Sequence, residues 1–491
     1  MKPPQLNPKT SVKMMFMVSM FVRILDMTIV VVALPSISRD FHIESVSAGI
    51  VVLSYLFGLV IAIPAANWLG DRFGTKRVFV LGIAVFTIAS ALCGMSQNLP
   101  ELVGFRLLQG LSGGVFGPVV MAMLVRTIPA SERIKAARVM TIPIAVAPLV
   151  GSTLGGVLTD VLSWRWIFYI NLPIGAAATA FALLFLVDDA HRKRNRFDIL
   201  GFLTASSGLT LLMYALNESL TRGWGSRPVL ITGICGALLL VLLVVVELRA
   251  THPLLDLRVF SNRIFRVSIG IILTITAYNA AYNFVFTLLY QNALGRSATQ
   301  VGIDIAPAAI GAIAGAQVAV RMYQRLGARR HMLISLAASF IGLVLLGLIG
   351  RDTQQWFVWL MMFFMGAVGA IAFNAAQTTS FATMTPAQSG VASSVFSTAA
   401  QTGSAIGVSL VSSALVAMGT STSSGAPNLT TYHVAFVIAG GLALIGFLIA
   451  LKIRDSDAAS TMKKKPEPAA EPVNVIGLDW RTGLRPQPVG A

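Results

Sequence analysis

"GDRFGTKR", residues 70–77, returns as "YQRLGARR", residues 323–330, with Arg72, Gly74, Lys76 and Arg77 matched by Arg325, Gly327, Arg329 and Arg330. Each copy is a short polar loop between two apolar runs of about 20 residues, long enough as helices to cross a hydrocarbon core about 30 Å thick. Outward from these loops the same pattern fills most of the chain, at about 14–35, 47–69, 78–96, 101–125, 139–162, 167–187, 198–216, 228–248, 267–290, 300–320, 332–350, 356–378, 390–417 and 432–451. Eight of these fourteen spans separate the two loops, so spans 1–6 repeat as 9–14 with two extra helices between them.

Composition agrees with a bilayer protein. The 491 residues are 55% hydrophobic and only 12% charged, with mean hydropathy +0.77, too apolar for a soluble protein of this length. The short alternating segments of an outer-membrane barrel are absent. The first apolar run is of full spanning length and lacks a small-residue cleavage site, so it reads as a transmembrane helix and not as a signal peptide. Cys93 and Cys235 both fall inside spans and read as packed thiols.

Placing the first terminus in the cytoplasm puts 29 of the 37 lysines and arginines in cytoplasmic segments. Basic residues follow the inside of a membrane protein, so both termini are expected in the cytoplasm of a multi-pass inner-membrane protein. The net charge of +17 then needs no nucleic acid: groups such as Arg126, Arg133, Lys135 and Arg138 serve topology, with a small attraction to anionic lipid. The expected organisation is a cytoplasmic N-terminus (1–13), an N-terminal six-helix bundle (14–187), a cytoplasmic linker (188–197), two inserted helices (198–248), a second linker (249–266), a C-terminal six-helix bundle (267–451) and a disordered cytoplasmic tail (452–491). The tail, with "KKKPEPAAEP", is rich in Pro, Ala and charge.

Parallel six-helix repeats are an architecture of transporters, and short motifs narrow the choice. "LDMTIVVVALP" (25–35), "NWLGDRFGTKR" (67–77), "RLLQG" (106–110), "GSTLGG" (151–156) and "WRWIFYINLPIG" (164–175) stand in order at spans 1, 2–3, 4, 5 and 5–6. Along nearly all of residues 14–451 the chain resembles the 14-helix drug:proton antiporter branch of the major facilitator superfamily. Asn67 stands for that family's first loop glycine, Thr75 for its first distal arginine, Val31 for an asparagine and Ser152 for a proline. The resemblance implies an all-α integral membrane fold, two six-helix bundles plus two inserted helices. It also implies proton-coupled export of small amphipathic or cationic compounds such as drugs by alternating access. Energy coupling would fall to Asp26 and Arg106, a conformational gate to Asp71, Arg72 and Gly74, and a helix 5 motif to Pro148, Gly151, Gly155 and Gly156.

Elementary chemistry bears on each of these positions. An ionised carboxylate inside a span costs roughly 2.5–3.5 kcal/mol on insertion scales, so Asp26 needs a reason to be kept. Asp26 lies nine residues before Pro35, roughly 14 Å from the outer end of its helix, and Arg106 roughly 8 Å deep in span 4; a long arginine can close that difference. Protonating Asp26 would then release Arg106, a proton switch. The competing reading pairs Asp26 with Arg23, three residues away on the same face, as a static neutral unit. Gln109 lies one turn from Arg106 as a further candidate. The Gly151/Gly155 spacing leaves a groove for close helix approach, and Pro148 removes a backbone donor; pivot, ion seal and plain packing all fit. Asp71 could dock on a neighbouring helix N-terminus, with Gly74 permitting the tight turn.

In span 9, Tyr278/Tyr282 and Asn279/Asn283 form adjacent stripes at i, i+4, expected to face either a central cavity as substrate contacts or another helix. Asn374, Gln377 and Gln401 are similar candidates. Asp304, in the first turn of span 10 after Ser297 and Thr299, suits the helix dipole or a cation. Trp164, Trp166 and Trp224 read as interfacial anchors.

The partners expected are a small-molecule substrate, protons and the lipid bilayer, with a monomeric chain, no cofactor and no metal. The alternative within transport is a facilitator or importer of a small organic anion, with Arg23 and Arg106 as substrate clamps. A non-transporting receptor would need an output domain that the sequence lacks. An enzyme is disfavoured: five histidines form no metal-spaced cluster, and no nucleophile motif appears in the loops.

Overall fold

The structure, a computed structural model, describes residues 7–42, 50–187, 196–250, 253–254, 257–296, 298–385, 388–419 and 428–454. Most of the first linker, the tail beyond 454 and Ser297 therefore lie outside the described residues, as do the side chains of Ser152 and Thr299.

All the long elements are helices. In the first half they are α1 (Pro8–Asp40), α2 (Ile50–Phe73), α3 (Thr75–Met95), α4 (Leu99–Thr127), α5 (Ala130–Val161) and α6 (Trp166–Phe185). Next come α7 (Ile199–Arg222), α8 (Arg227–Arg249) and α9 (Arg263–Leu288), then one helical run of 49 residues, Ala298–Leu346. The run is broken at Gly327, whose φ of 78° and ψ of 171° leave the helical region. It thus divides into α10 (298–326) and α11 (328–346), followed by α12 (Gln355–Ser380), α13 (Ser389–Met418) and α14 (Leu429–Ala450).

Thirteen helices among the described residues are long and apolar enough to cross a membrane, the unbroken 298–346 run counting as one. That run is a hairpin. Gly311 and Gly342 would be roughly 46 Å apart on a straight helix, yet Gly311 abuts Phe363 and Gly342 abuts Phe364 and Met365, neighbours on α12. The chain doubles back at Gly327, so the described residues hold fourteen helices of spanning length. The matching loop turns at Gly74, φ 93°, so both copies of the echoed motif place a glycine where the backbone takes a positive φ.

The repeat extends to backbone contacts. A Cβ on Gly58 would stand 2.3 Å from the Leu107 carbonyl oxygen, and one on Gly311 2.0 Å from that of Phe363. Gly110 meets the Tyr55 carbonyl as Gly366 meets that of Ala308. On α5, Gly151 and Gly155 meet Leu25 and Ile29 of α1; on α13, Gly403 and Gly407 meet Leu273 and Ala277 of α9. Small residues let helix backbones touch where lipid offers no hydrophobic drive for association. Carried along these equivalences, Asp26 corresponds to Thr274, Arg106 to Met362 and Gln109 to Met365.

The inserted helices lie outside this pairing. α7 is tied to α2 through the Ser206 hydroxyl, which donates to the Ile61 carbonyl at 2.9 Å, and to α13 through Ser409, which donates to the Leu216 carbonyl at 2.7 Å. Most of α8 faces outward, as Ile231, Ile234, Leu238 and Val241 are exposed. Cys93 is buried as expected, but Cys235 on α8 is exposed, because an apolar face in a bilayer can be satisfied by lipid.

Candidate functional site

Asp26, Arg106, Gln109 and Asn171 meet inside the first six helices, and none has measurable exposure. The Arg106 guanidinium donates to Asp26 Oδ2 at 2.6 Å, while Gln109 Nε2 and Asn171 Nδ2 each donate to Oδ1 at 2.9 Å. Arg106 also donates to Gln109 Oε1 at 2.7 Å and to the Val51 carbonyl at 3.2 Å, with its guanidinium 4.4 Å from the centre of the Tyr55 ring. Asn171 Nδ2 lies 3.1 Å from Ser90 Oγ, which donates to the Phe168 carbonyl at 2.9 Å. A carboxylate with a cation and two amide donors has the partners that make a buried charge tolerable.

Arg23 does not pair with Asp26. Its Nη1 lies over the bare backbone of Gly117, 2.3 Å from where a Cβ would stand. Helical side chains lean toward their own N-terminus, so Arg23 points away from Asp26, and the glycine makes room for it on α4. Sharing a face at i, i+3 did not make the two residues partners.

α2, α4 and α13 build a second constellation on the face of the protein that carries loops 70–77 and 323–330, here termed the basic face. Asp71 Oδ1 accepts from Arg126 Nη2 at 2.9 Å, and Arg126 Nε donates to the hydroxyl of Ser389, first residue of α13, at 2.7 Å. Asp71 thus reaches the start of α13 through an arginine, where direct docking on a helix N-terminus was expected. Arg72 is exposed beside it. Arg133 donates to the Phe381 carbonyl after α12, Ser393 to the Pro118 carbonyl at 3.0 Å, and Thr141 Oγ1 lies 3.2 Å from Asn374 Oδ1. These bonds join the first six helices to the last six; Pro118 lies nine residues, roughly 14 Å, from the end of α4. Arg126→Gln should loosen this seal. Expected is a several-fold faster reaction of a Ser393→Cys thiol, otherwise buried, with a membrane-impermeant maleimide added on the basic face.

The remaining expected site residues do not converge. Tyr278 is packed in the core and within 3.1 Å of the Ser339 hydroxyl on α11, and Tyr282 is also buried. Asn283 Nδ2 bonds back to the Asn279 carbonyl at 2.8 Å, and Asn279 approaches Gly369 of α12. Asn374 serves the cross-bundle contact, Gln377 lines a small void with Arg133 and Phe381, and Gln401 lines another against α2 and α7. On α5, Gly151 and Gly155 are covered by α1, whereas Gly156 faces open space and Pro148 is exposed. Asp304 Oδ1 accepts from Gln355 Nε2 at 2.5 Å and Trp359 Nε1 at 3.1 Å, which ties α10 to α12.

Trp166 and Trp224 are about half exposed, as anchors should be, but Trp164 is only 3% exposed. Its indole N–H donates to Asp40 at 2.9 Å beside Arg165, which bonds the same carboxylate at 2.8 Å. The Trp164 hydrogen bond and then Arg165 hold the Asp40 carboxyl below the ordinary carboxylate range. A polar handle with a buried partner outcompetes the interface.

Asn171, Tyr55, Arg126 and Arg133 are the residues that motif reading did not single out. Asn171 carried a signal, an amide in an apolar segment; the two arginines were hidden among topogenic charges.

The family profile described as Major Facilitator Superfamily matches residues 16–246 and 267–489. A multidrug resistance protein named MdtD, from Pectobacterium carotovorum subsp. carotovorum (strain PC1), is 31% identical over 392 residues, 79% of this chain and 84% of that protein. A protein of the same name from Yersinia pestis (strain Pestoides F) is 32% identical over 394 residues, 79% and 83% of the two chains. Among solved structures, the human organic anion transporter MFSD10 superposes with TM-score 0.64 at 16% identity, covering 91% of this chain and 100% of the other. The proton:xylose symporter XylE superposes with TM-score 0.62, also at 16% identity, covering 91% and 96%. With fourteen helices of spanning length among the described residues, two glycine-matched six-helix halves and this profile match over most of its length, the chain belongs to the Major Facilitator Superfamily of membrane transporters.

Proposed function

We propose that this chain is a proton-coupled exporter of small amphipathic or cationic compounds, drugs among them, which works by alternating access in the cytoplasmic membrane with its basic face inside. The observation that carries this reading is the Asp26–Arg106 pair, fully buried and matched by Thr274 and Met362 in the other half. A scaffold whose two halves match in backbone but not at this ion pair gives one half a chemical reason to respond to protons. The names of the MdtD relatives support the substrate class.

In the proposed cycle, opening toward the outside lets a proton reach Asp26. Neutral Asp26 no longer balances Arg106, whose charge must find water or another acceptor, and the Asp71–Arg126–Ser389 seal opens as residues 14–187 rock against 267–451. Proton release to the cytoplasm restores the pair and closes that side. One proton falling through 100 mV supplies about 2.3 kcal/mol, enough for a gradient near fifty-fold of a neutral substrate. The organic-anion reading is less well supported, since Arg106 is committed to Asp26, Gln109 and the Val51 carbonyl.

The test is transport in proteoliposomes under an imposed pH gradient, with ethidium and a panel of other dyes. Dye should accumulate on the acidic side and leak back when a protonophore is added. Dye movement indifferent to the gradient and to the protonophore would overturn the coupling claim, and gradient-independent uptake of organic anions would favour the alternative.

A further inference from the structure

We propose that a groove between α2, α3, α4 and α7 binds one acyl chain of an anionic phospholipid, with Arg77 at its mouth holding the phosphate. The groove encloses about 580 Å³, within the range of ordinary ligand sites. Ala62 and Ala65 of α2, Gly82 of α3, Leu111 of α4 and Phe202 of α7 are among its walls. It opens outward at bilayer depth, where lining residues Leu81 and Leu108 are 66% and 38% exposed. The occupant is therefore drawn from the surrounding lipid.

Charge selects which lipid. The walls are apolar apart from Ser112 and Arg77, and Arg77 lies at the basic-face end. Beside it Trp68 stacks edge-on against Phe73 and Phe197, at ring distances of 5.8 and 4.8 Å, an arrangement of rings suited to headgroup depth. Arg72 and Arg196, both exposed, flank these rings in sequence. An apolar slot ending in arginine at the membrane surface suits a chain with an anionic head. Phe202 belongs to an inserted helix, so a seated chain would also fasten α7 to the first six helices.

The test uses the full chain in phosphatidylethanolamine vesicles doped with a phosphatidylglycerol that carries a photoreactive acyl chain, or in parallel with the matching phosphatidylcholine. Cross-links are mapped by mass spectrometry. Phosphatidylglycerol should label the segments around Ala65, Gly82 and Phe202 about fivefold more than phosphatidylcholine, the factor given by one basic contact at a membrane surface. Arg77→Gln should bring the ratio to about one. Ala65→Phe should remove labelling there with either lipid while α8 is labelled as before. Should Ala65→Phe fail to fold, the exposed Arg77→Gln variant decides. Equal labelling by the two lipids, a preference that survives Arg77→Gln, or displacement of the lipid by transported dye would each overturn the proposal, the last in favour of a route for dye.

Discussion

Asp26→Asn is expected to abolish dye efflux at equal membrane abundance and to lower the unfolding temperature of the purified protein. The substitution keeps the shape, and Gln109 or Asn171 can still donate to the remaining amide oxygen. It removes the counter-ion of Arg106, which has no measurable exposure. Removing one partner of a buried pair costs about 3–5 kcal/mol, because the other charge is stranded. The double variant Asp26→Asn/Arg106→Gln should recover much of that stability, since no bare charge remains, and none of the transport. Stability and activity are then separated by one experiment, read as thermal unfolding in detergent beside efflux in cells. Protonophore-sensitive efflux in Asp26→Asn at the wild-type rate would remove Asp26 from the mechanism.

Gly110→Ala and Gly366→Ala should both be strongly damaging methyl additions. The new carbon would stand 2.1 Å from the Tyr55 carbonyl oxygen in the first case and 1.9 Å from that of Ala308 in the second. Both obstacles are backbone, so a helix must move, and overpacking of this kind costs about 1–3 kcal/mol or more. Gly156→Ala is the control: it lies in the helix 5 motif, yet nothing stands within 4 Å of the added carbon. It should be silent in expression, thermal unfolding and efflux. The two damaging variants should also differ from each other. Gly110 adjoins Gln109 and packs on the residue whose ring covers Arg106, so its transport should fall below what its folded amount allows. Gly366 has no such neighbour, and its efflux should track the amount of folded protein.

The sequence by itself determined the solvent, the crossings and the repeat. Each follows from local information: a run of apolar residues long enough for the bilayer, and a loop motif whose glycine takes a positive φ in both copies. It also marked Asp26 and Arg106, because a charge inside an apolar run is visible without any partner. The partner itself was a tertiary decision. Arg23 and Arg106 were both within reach on paper, and the lean of the Arg23 side chain toward its helix N-terminus, with Gly117 bare to receive it, left Asp26 to Arg106. Arg126 and Arg133 looked like topology signals until α12 and α13 came to lie against them, and periodicity left Tyr278 open between a cavity and another helix, whereas the packed helices set it against Ser339 of α11. Periodicity fixes which way a side chain faces on its own helix. Which helix stands opposite, and at what height, depends on backbone approaches such as those at Gly58, Gly110, Gly151 and Gly155, and these are distances that only the packed helices define.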